Sequence, residues 1–130
     1  MDFLVHHLLR SSTAKDGSIE CIVHRNERLS YAQLDLLTNR LADGMLEAGL
    51  KRGDRVGVFL EKSINEVVSL FAISKAGGVF VPINQLLFPE QVGHILNVIR
   101  VKGPGRLVGQ QNGRAIDHGP DYGSTLTLTS

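Results

Sequence analysis

The sequence predicts an α/β fold, a partial parallel sheet with flanking helices followed by an irregular tail. Three observations carry that prediction. "RVGVFL" at residues 55–60 and "VFVPI" at residues 79–83 are unbroken apolar runs of strand length, the pattern of strands covered on both faces. Between them Ile64, Val67, Val68, Phe71 and Ala72 recur as one helical face, so strand, helix and strand form a right-handed parallel crossover. Capping boxes (Ser30 with Gln33, Ser63 with Glu66) open two helices, and Gly49 and the Gly77–Gly78 pair close them.

Taken in order, Asp2 caps a short helix with Phe3, Leu4 and Leu8 on one side, and "SSTAKDGS" reads as the loop that follows it. Residues 19–31 read as a small hairpin turning at "RNER". Leu34, Leu37, Leu41 and Met45 mark a helix over residues 31–48, and "KRGD" turns the chain into the first parallel strand. The second helix covers residues 63–76, with Ile64, Val67, Val68 and Phe71 expected to be its most buried residues. Pro82 sits near the end of the second strand because proline cannot donate to a central ladder. Pro89 opens a third helix, "PEQVGHILN", with Val92, Ile95 and Leu96 apolar. A third parallel strand is due next, yet residues 98–130 hold six glycines and two prolines without sustained period. The organisation expected is therefore residues 1–97 as the start of a larger domain and 98–130 as an irregular tail, non-native or disordered, in which "VIRV" and "TLTLTS" have strand character.

Composition narrows the function classes. Fourteen Lys and Arg against 13 Asp and Glu leave a net charge of +1, without the basic footprint that nucleic-acid binding needs. The one cysteine, Cys21, has no partner for an internal disulfide, and no Cys or His spacing offers a four-ligand zinc site. The N-terminus lacks a secretory pattern, and no apolar run approaches the roughly 20 residues of a membrane span, so a cytoplasmic location is expected.

The block "LSYAQL" at residues 29–34 and the block "SKAGGVFVPIN" at residues 74–84, in that order and at that separation, resemble the opening of the adenylate-forming superfamily. That superfamily includes acyl-CoA synthetases, luciferases and nonribosomal peptide adenylation domains, and the resemblance runs from about residue 3 to residue 97. With "MDFLVHHLLR", "FLEKSINEVVSLFAISKAGGVFVPIN" and "EQVGHILN" the chain is most similar to AMP-forming acyl-CoA ligases associated with exosortase A systems. The resemblance implies a two-step reaction. ATP and a carboxylic acid give an acyl-adenylate and pyrophosphate, and the thiol of coenzyme A then displaces AMP, with Mg²⁺ on the departing pyrophosphate. In the family a Ser/Thr/Gly-rich loop closing in Pro-Lys-Gly, an aromatic-Gly-x-Thr-Glu segment, a ribose-binding Asp and a C-terminal Lys do this work, and none of them occurs here. No catalytic, cofactor-binding or metal-binding residue carries over, so the chain reads as a scaffold fragment, inactive alone and prone to self-association.

The remaining candidates each have a structural reading. Adjacent helical residues point about 100° apart, so His6 and His7 do not converge on one ion and read as surface or boundary histidines. Gly77 and Gly78 precede a strand, the reverse of the strand-to-helix order that cradles phosphate. Lys51, Arg52 and Arg55 form a basic cluster that could meet the diphosphate of coenzyme A, but Asp54 dilutes it and the segment reads as a solvated turn. Cys21, Tyr31 and Phe80 read as core. The competing functional class is a small non-catalytic module binding a partner or a nucleotide beyond the carboxyl ends of its strands, near Glu61, Lys62 and Asn84. For the tail the leading explanation is a frameshift near codon 98, and the other is a variable loop.

Overall fold

The computed structural model describes residues 4–101, 105–109 and 125–127. Its elements are α1 (Val5–Asp16), the hairpin β1 (Glu20–His24) and β2 (Glu27–Ser30), α2 (Tyr31–Glu47), β3 (Arg55–Phe59), α3 (Ile64–Lys75), β4 (Val79–Pro82), α4 (Pro89–Val101), β5 (Gly105–Gly109) and β6 (Thr125–Thr127). The four later strands make one parallel sheet in the order β4-β3-β5-β6. The expected crossover is present, with Arg55 opposite Val79 and Val58 opposite Pro82.

Local signals placed the ends of the helices. Ser30 Oγ accepts the Gln33 N–H at 3.3 Å while Gln33 Oε1 accepts the Ser30 N–H at 2.8 Å, the reciprocal box that starts α2. Ser63 Oγ likewise accepts the Glu66 N–H at 3.3 Å at the start of α3. Gly77, at φ 83°, supplies the left-handed residue at the other end of α3. Gly78 is needed for a different reason: a Cβ there would lie 3.0 Å from Ile73 Cγ2 and 3.3 Å from the Asp54 carbonyl oxygen, so helix and strand could not approach as they do.

The two faces of the sheet are covered by different helices. Val56, Val58, Leu60 and Val108 pack with Ala42 and Met45 of α2, with Ala72 and Ile73 of α3 and with its C-cap Ala76. Val92 of α4, with Ile95 and Leu96 beside it, packs with Ile83 and Phe59. A third cluster joins Leu9 of α1 to Leu34 of α2 and to Ile64 and Val68 of α3, closed from outside by the hairpin residues Cys21, Ile22 and Leu29. Because α3 serves two clusters, its most buried residues are Ser69, Ala72 and Ile73, each fully enclosed, while Val67 and Phe71 are half-buried.

Three expectations need correction. Helix α1 continues through "SSTAKD" to Asp16, where a loop was expected; Thr13 Oγ1 donates to the Leu9 carbonyl within it at 2.9 Å, and docking on α2 and α3 holds a stretch too polar to stay helical alone. Its buried side chain is Leu9, whereas Leu4 and Leu8 face outward; Asp2 and Phe3 lie outside the described residues. Residues 98–101, read as the start of an irregular tail, complete α4, because Ile99 extends the stripe of Val92, Ile95 and Leu96 by one turn and is buried with it. The due third strand also exists, since Gly105–Gly109 pairs with β3 from Arg55↔Gly105 to Phe59↔Gly109. Five residues broken by glycine show no period, and what makes them a strand is the ladder offered by β3.

Candidate functional site

In the order β4-β3-β5-β6 the chain leaves β3 toward one edge of the sheet and returns to β5 on β3's other side, so the strand order reverses between β3 and β5. In parallel sheets the crevice beyond the carboxyl ends of such a pair is the usual place for a ligand. Here Leu60, Glu61 and Lys62 leave β3 at that point, and Ser63 turns the chain into α3. The turn of the hairpin lies opposite. Together they line a cleft of about 770 Å³, with Arg25, Asn26 and Arg28 on the hairpin side and Glu61, Lys62 and Ser63 on the strand side.

Of the residues singled out at the strand ends, Glu61 and Lys62 share this cleft and Asn84 does not. Asn84 Oδ1 accepts the Leu86 N–H at 2.9 Å and shapes the turn after β4 instead. The cleft's polar groups are of both signs, with Arg25, Arg28 and Lys62 beside Glu27 and Glu61. Ser63 Oγ donates to the Glu61 carbonyl at 2.9 Å, and Arg28 is drawn to Glu20, outside the cleft lining, at 2.7 Å. With two carboxylates among its cations and Arg28 held by Glu20, that lining does not fit a triphosphate, which needs converging cations. Among the described residues no group of three His, Cys, Asp or Glu side chains is placed to hold a metal ion such as Mg²⁺.

The basic cluster lies at the opposite, amino end of β3. Lys51 N–H donates to Asp54 Oδ2 at 2.9 Å, Gly53 N–H donates to the Gly77 carbonyl at 2.8 Å, and Arg52 packs its stem where a Cβ on Gly77 would come within 3.6 Å. Lys51 and Arg52 thus belong to the corner that joins α2 to β3, with Arg55 beginning the strand. Cys21 donates to the Leu29 carbonyl at 3.4 Å, and burial pushes its thiol above the ordinary range, the reverse of an activated nucleophile.

A second polar cluster was not foreseen. Lys75, near the end of α3, donates to Asp35 Oδ1 at 2.6 Å, to Asn39 Oδ1 at 2.7 Å and to the Asp35 carbonyl at 3.3 Å, clamping α3 to α2. His6 Nδ1 lies 2.9 Å from Ser74 Oγ in the same region, and the cleft there, about 490 Å³, is also lined by Arg10 and Asp43. The available signal was the i, i+4 pair Asp35 and Asn39 on α2, which aligns two acceptors along the helix. Their partner, 36 to 40 positions away, was not visible without the fold.

Comparison with known proteins places this architecture. The family described as AMP-binding enzyme matches residues 9–103. Gramicidin S synthase 2 of Brevibacillus brevis is 31% identical over 100 residues, which is 77% of this chain and 2% of that protein. Tyrocidine synthase 1 of Brevibacillus parabrevis is 36% identical over 98 residues, 75% of this chain and 9% of that protein. Among solved structures, the α-methyl-L-serine-AMP-bound form of the nonribosomal peptide synthetase FmoA3 superposes with a TM-score of 0.83 at 24% identity, over 96% of this chain and 14% of that one. The inhibitor-bound N-terminal domain of FACL13 from Mycobacterium tuberculosis gives 0.82 at 22% identity, over 95% of this chain and 33% of that one. The chain therefore spans a small part of the proteins it matches, and the last two likenesses speak to fold alone. With the family match extending from Leu9 through α4 and the superposed sheet in agreement, the chain belongs to the family of AMP-binding enzymes.

Proposed function

We propose that this chain is the opening scaffold of an enzyme that activates a carboxylic acid with ATP as an acyl-adenylate and passes the acyl group to a thiol. The observation that carries the proposal is the family match over residues 9–103. The quoted blocks fall on structural positions within it: Ser30 and Gln33 cap α2, and Gly77 and Gly78 turn α3 into β4. The residues described here pack and orient; they supply no group that handles phosphate. The chain by itself is accordingly non-catalytic. Its ATP-binding and Mg²⁺-binding parts, together with any thiol acceptor, belong to sequence of the kind found elsewhere in the family.

The finer reading is an acyl-CoA ligase of the exosortase-associated kind, supported by "MDFLVHHLLR" and "EQVGHILN". The second reading is an amino-acid-activating adenylation domain, favoured by the likeness to gramicidin S synthase 2 and tyrocidine synthase 1. A complete enzyme carrying this segment decides between them. ATP-dependent formation of a coenzyme A thioester supports the first, and amino-acid-dependent pyrophosphate exchange without such a thioester supports the second. For the chain alone, ATP and Mg²⁺ are expected to leave the thermal midpoint unchanged, since a ligand that binds the folded form must raise it. A rise would instead favour a nucleotide-binding module.

A further inference from the structure

The first turn of α1 is weakly secured. Its N-cap is Leu4, which makes no side-chain capping bond, the turn contains no acidic residue, and the only buried residue of α1 is Leu9. Imidazoles stand where a cap would. His7 Nδ1 accepts the Leu4 N–H at a long 3.5 Å, and His6 Nδ1 meets Ser74 Oγ of α3 at 2.9 Å. The two rings touch edge to face with centroids 4.5 Å apart. Both histidines lie in the first helical turn, where the positive end of the helix dipole opposes further positive charge.

We propose that His6 and His7 form a proton-operated latch, holding the first turns of α1 on α3 while both rings are neutral and releasing them when protonated. A ring nitrogen accepts a hydrogen bond only while it carries no proton, so protonation at His7 Nδ1 abolishes its bond from Leu4. At His6 the contact with Ser74 survives protonation, since a protonated Nδ1 donates to the hydroxyl oxygen whichever tautomer preceded it, and there the added charge is decisive. The charged and titratable groups around His6 are His7 and Arg10 of α1, Lys75 of α3, and Asp35 and Asp43 of α2. Asp35 is engaged by Lys75 at 2.6 Å, which leaves Asp43 as the other acid lining the cleft with Arg10 and His6. Burial first, and then the nearby His7, Lys75 and Arg10, hold His6 below its ordinary value of 6.5. A base whose pKa is lowered in the docked form takes up its proton more readily when detached. Docking is therefore fully stable above pH 6.5 and weakens as pH falls through 6.5 and the lower docked value. Release uncovers the apolar surface that Leu9 shares with Leu34, Ile64 and Val68.

Amide hydrogen exchange of the full chain, corrected for intrinsic rates, tests the latch at about pH 7.5 and about pH 5.5. The protection of residues 5–13 relative to residues 64–75 is expected to fall at the lower pH. In the double variant His6→Gln/His7→Gln, which keeps an acceptor at the capping position but cannot titrate, the relative protection is expected to be equal at both. Equal protection in the unaltered chain, or an equal fall in the double variant, overturns the proposal. Should the variant leave α1 unprotected at both pH values, the His6 ring titration by NMR decides. A midpoint below that of a peptide of residues 1–18 supports the latch, and an equal or higher one overturns it.

Discussion

Ile73 and Phe71 sit two positions apart on α3 and separate what periodicity reports from what packing does. Both lie among the apolar residues of the helix, yet Ile73 is 0% exposed against the sheet, and Phe71 is half-buried beside α1 and α2. Truncating an enclosed isoleucine removes its burial and leaves a cavity, so Ile73→Ala is expected to cost about 2–5 kcal/mol. Phe71→Ala is expected to cost less than the roughly 3–5 kcal/mol of an enclosed phenylalanine, because its surroundings already open to water. Urea denaturation of the pair checks the order, and a larger loss at Phe71 would contradict it. At Gly77 the penalty is in the backbone: φ is 83°, so Gly77→Ala is expected to cost about 1–2 kcal/mol even though its Cβ would have 3.6 Å of room from Arg52.

Between elements, two ion pairs differ in what surrounds them. Arg28 and Glu20 on the hairpin are 65% and 46% exposed, a pair worth about 0–1 kcal/mol that added salt screens. Lys75 and Asp35 are 12% and 29% exposed, and the ammonium also holds Asn39 and a main-chain carbonyl. Lys75→Met is expected to lose about 1–3 kcal/mol, since it strands acceptors that are partly shielded from water. Arg28→Met is expected to fall within about 0.5 kcal/mol of the unaltered chain. Thermal denaturation of both variants at low and high salt checks the contrast; equal losses would remove the clamp from the account of how α2 and α3 hold together.

Across the whole molecule, exposure is uneven. Beyond β4, an edge strand, the turn shaped by Asn84 displays Leu86 at 81% and Phe88 at 71% exposure, and Val79 on β4 is also exposed. An open strand edge beside apolar side chains favours association. The isolated chain is expected to sediment as a concentration-dependent mixture, and Leu86→Ser/Phe88→Ser to shift it toward the monomer. A monomer that unfolds sharply and reversibly at every concentration would contradict this.

The sequence by itself determined the capped starts of α2 and α3, the Gly77–Gly78 corner, the crossover from β3 to β4 and the family. Each is encoded within a few residues: a hydroxyl three positions from an amide, a glycine where the backbone turns left-handed, an apolar run of strand length. Only the tertiary structure decided which stripe of α3 is most deeply buried, because two clusters compete for that helix and the hydrophobic period does not say which partner lies closer. The same holds for α1, kept helical to Asp16 by docking, and for β5, recruited by the open edge of β3 with little pattern of its own. At the strand ends, Glu61 and Lys62 were legible because they follow an apolar run, whereas Arg25 and Arg28 reach the same cleft through the way the hairpin packs, a long-range consequence that no local spacing records.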